Sequence, residues 1–199
     1  MQKVSLTAYD RPRGLSRPAF GLRVRRTTGL PACRVPRLDS SAYAEIMLKP
    51  SVRPATISDI ETILHHRRSM YLDMGVATPQ SAALLEPASR TFFEAALPTG
   101  GYYGLLVEVE GAVVAGGGVL LADWPGSPSN REAKRAWILN VYVEKAWRKR
   151  GLARLVMESL VDWCRAQGFK SVSLHASDEG RGLYEKMGFR PTNEMRLTL

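Results

Sequence analysis

A group of cationic residues and a glycine lies between a predicted strand and a predicted helix, and together they could bind an anion. Arg148, Lys149 and Arg150 directly precede Gly151. Residues 138–143 form an apolar, β-branched run, which is typical of a strand. After Gly151, apolar side chains recur at helical spacing: Leu152, Leu155, Val156, Leu160, Trp163 and Cys164. The chain therefore passes from strand to helix through a basic loop.

The start of a helix attracts anions because its first amides lack partners within the helix and the helix dipole adds partial positive charge. A pyrophosphate can bind there. Gly151 has no Cβ, so the backbone can come close to the anion. The three cationic side chains add full positive charges around the same point. A pattern of six residues is weak evidence by itself, and its context has to support it.

A second motif lies downstream, at Leu183-Tyr184-Glu185-Lys186-Met187-Gly188-Phe189. With Arg148, Gly151 and Ala153, it resembles the GNAT family of N-acetyltransferases. That family shows Arg/Gln-x-x-Gly-x-Gly/Ala after a strand and Leu-Tyr-x-x-x-Gly-Phe near its end. The resemblance covers about residues 51–199. The alternative is a generic strand–helix unit with a basic turn.

The resemblance implies that acetyl-coenzyme A is held by two parts of the chain. In the family, the central strand splays from its neighbour, and its free backbone groups hold the pantetheine arm. Here those residues would be Val141, Tyr142 and Val143, which are equally compatible with a role in the core. The pyrophosphate would be held by the loop residues Arg148, Lys149, Arg150, Gly151, Leu152 and Ala153.

N-acetyl transfer needs a neutral amine, a stabilised oxyanion and a proton for the departing thiolate. The resemblance places Tyr184 near the thioester sulfur, where a phenol that is protonated at neutral pH can donate to the thiolate. The alternative for Tyr184 is a core aromatic. The family often has an asparagine seven residues before this tyrosine, and this chain has Ser177 instead, which puts that cofactor contact in doubt.

The motifs do not identify a general base. His175 ends the predicted strand before Tyr184, and histidine suits base catalysis because its usual pKa lies near neutral. A structural role is the alternative for His175. Glu144 and Asp178 are weaker candidates for the base, and a chain of water molecules does this work in many relatives.

The predicted elements follow the order β-α-α-β-β-β-α-β-α-β, which the GNAT fold shows. We therefore expect an α/β (α+β) three-layer fold, with a mixed, mostly antiparallel central sheet flanked by helices. The glycines 116–118 within a strand indicate a bulge or close approach by another chain or ligand, or a local twist. The predicted strands are 52–56, 102–109, 112–121, 138–143, 170–175 and 189–199, the last being one strand or two with a break at Pro191. The predicted helices are 58–75, 89–97, 151–167 and 180–187. The first of these helices starts at a Ser58-x-x-Glu61 capping box, and residues 123–135 form a substrate-facing loop.

The positive charge is concentrated at the start of the chain. Of the net charge of +9, residues 1–46 contribute +6, from nine Lys/Arg against three acids. Residues 1–48 have no sustained apolar period and are expected to be disordered. A solvated basic tail, a transit-like leader and an artefact of start-site choice before Met47 all stay open. The acetyltransferase domain is expected at residues 51–199.

The remaining composition excludes several kinds of site. No apolar run approaches the ~20 residues that cross a bilayer, so no membrane span is expected. No Cys/His cluster has zinc spacing, so no metal site is expected. Two cysteines fit a reducing cytoplasm. The mildly basic domain gives no reason to expect that the protein binds nucleic acid, and the sequence does not decide whether it forms a homodimer.

We expect a cytoplasmic acetyl-coenzyme A-dependent N-acetyltransferase that acts on a primary amine of a small molecule or peptide.

Two other functions are compatible with the sequence. A sensor or scaffold of the same fold would bind acyl-coenzyme A without catalysis, and the retained Tyr184 argues against it. A nucleic-acid-binding protein would use the basic segment, but that segment lacks interleaved aromatic residues and any recognition motif.

We predict that a chain starting at Met47 keeps the fold and the activity, because the preceding segment cannot bury enough apolar area to fold. The melting temperature and turnover of this shortened chain, measured beside the full chain, test the prediction. A large drop in melting temperature would show that the segment belongs to the domain.

Overall fold

The computed structural model of the chain describes residues 49–126 and 133–198, so the basic segment lies outside the described residues. Within them, five strands form one sheet in sequential order. Strands β1 to β4 pair antiparallel, and β5 pairs parallel to β4. The strands are β1 Ser51–Pro54, β2 Tyr102–Val109, β3 Ala112–Asp123, β4 Lys134–Val143 and β5 Val172–Leu174, and the helices are α1 Ile60–Asp73, α2 Pro79–Thr99, α3 Leu152–Ala166 and α4 Asp178–Lys186.

Helices cover both faces of the sheet and give a three-layer fold. Val156, Met157 and Leu160 of α3 are fully buried against one face. On the other face, Ile63 of α1 and Phe93 of α2 pack in a second cluster. The predicted α/β fold with a mixed, mostly antiparallel sheet is confirmed. Among the described residues, no helix has the length and apolar character needed to cross a membrane.

The predicted capping box is wrong, because the chain enters α1 through a 3-10 turn at Ile57–Asp59. The Thr56 amide donates to Oδ2 of Asp59 at 2.8 Å, so Thr56 and Asp59 form the box in place of Ser58 and Glu61. Arg53 fixes that carboxylate with bonds of 2.8 and 2.9 Å. The hydrogen bonds from Arg53 lower the pKa of Asp59 to about 2.

The second helix is longer than the predicted 89–97, since α2 already begins at Pro79 and contains Pro87 and Pro98. Thr78 caps its start by accepting a hydrogen bond from the Ser81 amide at 3.2 Å. A proline in a helix removes one hydrogen bond. The burial of Phe93 and other apolar side chains of this helix supplies the packing that outweighs this cost.

The predicted final strand is wrong for the described residues 189–198, which form no regular secondary structure. Pro191 lacks the amide that a strand ladder needs. The segment also buries no apolar face, because Met195 and Leu197 are 95% and 82% exposed. Without that strand, the described sheet ends at β5.

The three consecutive glycines in β3, for which the sequence left a bulge, a close approach or a local twist open, lie opposite a bulge in β4. Gly118 pairs with Leu139 and Gly116 with Tyr142, so two residues of β4 lie opposite Gly117. A Cβ at Gly117 would lie 3.0 Å from Val156 Cγ1, and a Cβ at Gly118 would overlap the Tyr102 ring. The close approach is therefore made by side chains of this chain.

Candidate functional site

A cleft opens where β4 and β5 separate. The two strands pair only from Ala136–Val172 to Ile138–Leu174, although β4 continues to Val143. Backbone groups of residues 139–143 on that edge have no β5 partner in the described chain, so they can bind a ligand. The cleft, which we call the β4–β5 cleft, has a volume of about 680 Å³ and is also lined by α1, α3 and α4.

The loop between β4 and α3 places the first amides of α3 at one end of this cleft. The Leu155 amide donates to the Gly151 carbonyl at 3.0 Å, so the amides of residues 152–154 precede the first bond of the helix. Gly151 has φ +80°, a left-handed conformation that glycine adopts easily. A Cβ at Gly151 would meet no atom within 4 Å, so the glycine is required by its backbone angle.

The cleft brings together most of the residues that were predicted to bind the cofactor. Arg150 is not among the lining residues, and its guanidinium lies over the Trp147 ring at 4.8 Å. Tyr184 of α4 lines the cleft, whereas His175 does not. The predicted residues in the lining are Val141, Tyr142, Val143, Arg148, Lys149, Gly151, Leu152 and Ala153.

Arg148 ties the loop to α1 through Asp73, a residue that the motif did not indicate. Its Nε donates to the Val143 carbonyl at 3.0 Å, and its Nη2 pairs with Asp73 Oδ2. Lys145 Nζ lies 2.9 Å from Asp73 Oδ1. Burial raises the pKa of Asp73, but hydrogen bonds from Lys145 and Arg148 outweigh it, and the pKa lies below its usual value. An anion in the cleft therefore has to share Arg148 with Asp73.

A buried polar network holds the bulge in β4, and sequence reasoning also missed it. Asn140 is 5% exposed and has φ +60°, which asparagine tolerates better than most residues. Arg67 Nη1 donates to Asn140 Oδ1 at 2.6 Å, and Asn140 Nδ2 donates to the Tyr102 hydroxyl at 3.4 Å. Burial raises the pKa of Tyr102 to about 12. The network fixes the strand where it leaves β5.

Tyr184 is half-buried on α4, with its ring 6.0 Å from that of Phe189. A Cβ at Gly180 would lie 2.7 Å from Tyr184 Cε2, so Gly180 makes room for the ring. Ser177 caps α4 by accepting a hydrogen bond from the Gly180 amide at 3.2 Å. Burial raises the pKa of Tyr184, so its hydroxyl stays protonated at neutral pH.

Tyr184 also lines a second cavity, which has a volume of about 720 Å³. Tyr184 and Leu174 line both the second cavity and the β4–β5 cleft. His175 lines the second cavity, with its ring 4.8 Å from that of Trp137. Nε2 of His175 lies 2.8 Å from Oε1 of Glu194. The two catalytic candidates, Tyr184 and His175, therefore line one cavity.

The two weaker candidates for a base lie elsewhere. Glu144 Oε1 lies 2.7 Å from His65 Nε2 and 3.7 Å from His66 Nε2, on the side of α1. Asp178 is exposed in the first turn of α4. Neither lines the cleft or the second cavity.

We predict that His66 makes the fold sensitive to acid. It is 3% exposed, and burial lowers its pKa to about 4. In the unfolded chain a histidine has a pKa of about 6.5, so the unfolded state binds more protons between about pH 4 and 6.5. Stability should thus be complete above that window and fall with pH, by on the order of 2 kcal/mol at about pH 5.

The free energy of unfolding in urea, measured at about pH 5 and pH 8, tests this prediction. His66→Gln should reduce the dependence on pH, and His65→Gln, at the exposed neighbouring histidine, is the matched control. An unchanged pH dependence in His66→Gln would show that other groups cause it.

Comparison with known proteins agrees with this geometry. The family model described as the acetyltransferase (GNAT) family matches residues 64–189. An uncharacterized N-acetyltransferase of Escherichia coli (strain K12), YjgM, is 28% identical over 143 residues, which are 70% of this chain and 81% of that protein. A shorter match, 32% identical over 54 residues, covers 27% of this chain and 37% of a Bacillus subtilis (strain 168) protein described as an acetyltransferase.

Solved structures show the same fold. A GCN5-related N-acetyltransferase from Ralstonia eutropha JMP134 is 32% identical, with a TM-score of 0.72 over 76% of this chain and 99% of that one. An acetyltransferase from Clostridium acetobutylicum, solved with acetyl-CoA, is 22% identical, with a TM-score of 0.70 over 76% of this chain and 96% of that one. From its family match, its relatives and its fold, this chain belongs to the acetyltransferase (GNAT) family.

Proposed function

We propose that this protein transfers the acetyl group of acetyl-coenzyme A to a primary amine. The observation that carries the proposal is the β4–β5 cleft, which has unpaired strand edges along one side and the start of α3 at one end. The Clostridium acetobutylicum neighbour, which was solved with acetyl-CoA, supports the choice of co-substrate.

In this proposal the two parts of the cleft bind different parts of the co-substrate. The pantetheine arm, which contains amides, follows the backbone of residues 139–143. The pyrophosphate binds the amides of residues 152–154, and Lys149 adds positive charge beside them. Arg148 keeps the loop in place through Asp73. The thioester then lies near Tyr184, which lines the cleft and the second cavity.

The acceptor amine enters from the second cavity and attacks the thioester carbonyl carbon. A C–N bond forms and the C–S bond breaks, while the amine loses a proton and the thiolate gains one. Tyr184 donates that proton as the general acid. His175 accepts the amine proton as the base, and Glu194, at 2.8 Å, orients its ring. A β4 amide beyond Ile138 is the candidate donor to the oxyanion.

We expect His175→Gln to lower kcat roughly 100-fold, the scale of a lost general base. The measurement is kcat, with His65→Gln as a control at a histidine outside both cavities. An unchanged rate would remove His175 from the mechanism.

A screen of primary amines, in which released coenzyme A is followed as free thiol, tests the proposed function. We expect thiol release above the rate of hydrolysis with at least one amine. Binding of acetyl-coenzyme A without thiol release across a broad panel would favour the sensor or scaffold.

A further inference from the structure

We propose that the acceptor amine also carries an anionic group, a carboxylate or a phosphate, which the arginines of the second cavity bind. This inference rests on the proposed function, since it assigns the second cavity to the acceptor. It also narrows the acceptor from any primary amine to the class of amino acids and amine-bearing phosphates.

The charges around the second cavity favour an anion. Four arginines and two glutamates line it, and one of those glutamates, Glu194, pairs with His175. None of the four arginines forms an ion pair with a carboxylate among residues 49–126 and 133–198. The guanidinium group is planar and binds carboxylate or phosphate with two parallel hydrogen bonds. The arginines are Arg135, Arg181, Arg190 and Arg196.

Two of these arginines are attached to regular elements, so their positions relative to Tyr184 are defined. Arg135 is on β4, and its guanidinium carbon lies 4.1 Å from the centre of the Trp124 ring, a contact that favours a cation. Arg181 is on α4, three residues before Tyr184, and residues at this spacing are neighbours on a helix surface. An anion bound by Arg181 therefore lies on the side of the cavity that contains Tyr184.

The cavity also has an apolar wall between its charged groups. Trp137 lines it and contacts the ring of His175. An acceptor that carries both an anion and an amine can place the rest of its carbon skeleton against Trp137. Its amine then lies toward His175 and Tyr184. A neutral amine would leave the arginines without a partner and would lose the contacts that orient it.

Pairs of amines that differ only in the anion test this inference. L-phenylalanine against phenethylamine tests a carboxylate, and glucosamine 6-phosphate against glucosamine tests a phosphate. We expect kcat/KM for one anionic amine to exceed that of its neutral partner by at least about tenfold, the lower end for a hydrogen bond to a charged group. Equal or faster acetylation of the neutral partner in both pairs would overturn the inference.

Variants of the cavity arginines test whether the second cavity causes the preference for anionic amines. Arg135→Gln with Arg181→Gln should reduce the ratio of kcat/KM between anionic and neutral partners to near one, mainly through KM. Arg165→Gln, at an arginine of α3 outside this cavity, is the matched control and should keep the ratio. A double variant with a normal melting temperature and an unchanged ratio would contradict the assignment.

A binding measurement separates this inference from the proposed function. Calorimetry with coenzyme A present compares the anionic with the neutral product of each pair: N-acetyl-L-phenylalanine with N-phenethylacetamide, and N-acetylglucosamine 6-phosphate with N-acetylglucosamine. If the anionic product binds more tightly but no amine is acetylated, the proposed function fails and the anion site stands. If amines are acetylated but the anionic products of neither pair bind more tightly, the anion site fails and the proposed function stands.

Discussion

Replacing Gly151 with aspartate is expected to weaken acetyl-coenzyme A binding by on the order of 100-fold or more, since like charges brought together cost several kcal/mol. The new carboxylate would lie beside the amides at the start of α3, where the pyrophosphate binds in the proposed complex. Nothing lies within 4 Å of a Cβ at this position, so the side chain itself meets no clash. Calorimetric titration with acetyl-coenzyme A gives the affinity.

Two controls separate the charge from the backbone angle. Gly151→Asn has nearly the same shape without the charge, and asparagine tolerates the left-handed conformation. It should keep most of the affinity. Gly168→Asp places the same carboxylate at another glycine with positive φ, +87°, and open space, but at the far end of α3. A folded Gly151→Asp protein with normal affinity would exclude this loop as the pyrophosphate site.

Replacing Tyr184 with phenylalanine is expected to lower kcat by roughly 10²- to 10⁴-fold, the usual contribution of a general acid. The affinity for coenzyme A should stay nearly normal, because the ring and its contact with Phe189 remain. If Tyr184 is a core aromatic instead, the loss of its hydroxyl would cost about 1 kcal/mol of stability and leave turnover near normal.

The rate and the free energy of unfolding should be measured on the same sample of Tyr184→Phe. Tyr103→Phe is the matched control, because Tyr103 stacks on Trp163 with centroids 4.1 Å apart, away from both cavities. It should change stability at most slightly and leave kcat unchanged. A normal kcat for Tyr184→Phe at saturating substrate would remove Tyr184 from the mechanism.

The part of the site that follows from local chain geometry could be predicted from the sequence. Gly151 and the apolar spacing after it define the start of α3, and the loop before it is basic. The glycines in β3 indicated an irregularity in the sheet, and the bulge itself lies in β4. These signals are local, because each depends on the conformation of a few consecutive residues.

The part that depends on tertiary contacts could not be predicted in this way. Asp73 is 75 residues away from Arg148, and Arg67 is 73 residues away from Asn140. A weak signal was present at Asp73, because an acid in the last turn of a helix is unfavourable with the dipole and suggests a cationic partner. Asparagine in an apolar strand was a similar hint of an unusual backbone angle.

The errors at the ends of elements have local causes. The predicted second helix begins only at residue 89, although apolar side chains of α2 keep the helix continuous through Pro87. The predicted strand 189–199 does not form in the described residues, because Pro191 and the exposed side chains of that segment do not favour one. That segment instead lines the second cavity, which the sequence did not reveal.

The most direct test of the proposed function follows an isotopically labelled acetyl group. The protein is incubated with labelled acetyl-coenzyme A and a primary amine that releases thiol, and the amine is analysed by mass spectrometry. We predict that the label appears as an acetyl amide on the amine nitrogen, in an amount equal to the thiol released above hydrolysis. Thiol release without labelled amide would contradict acetyl transfer to an amine.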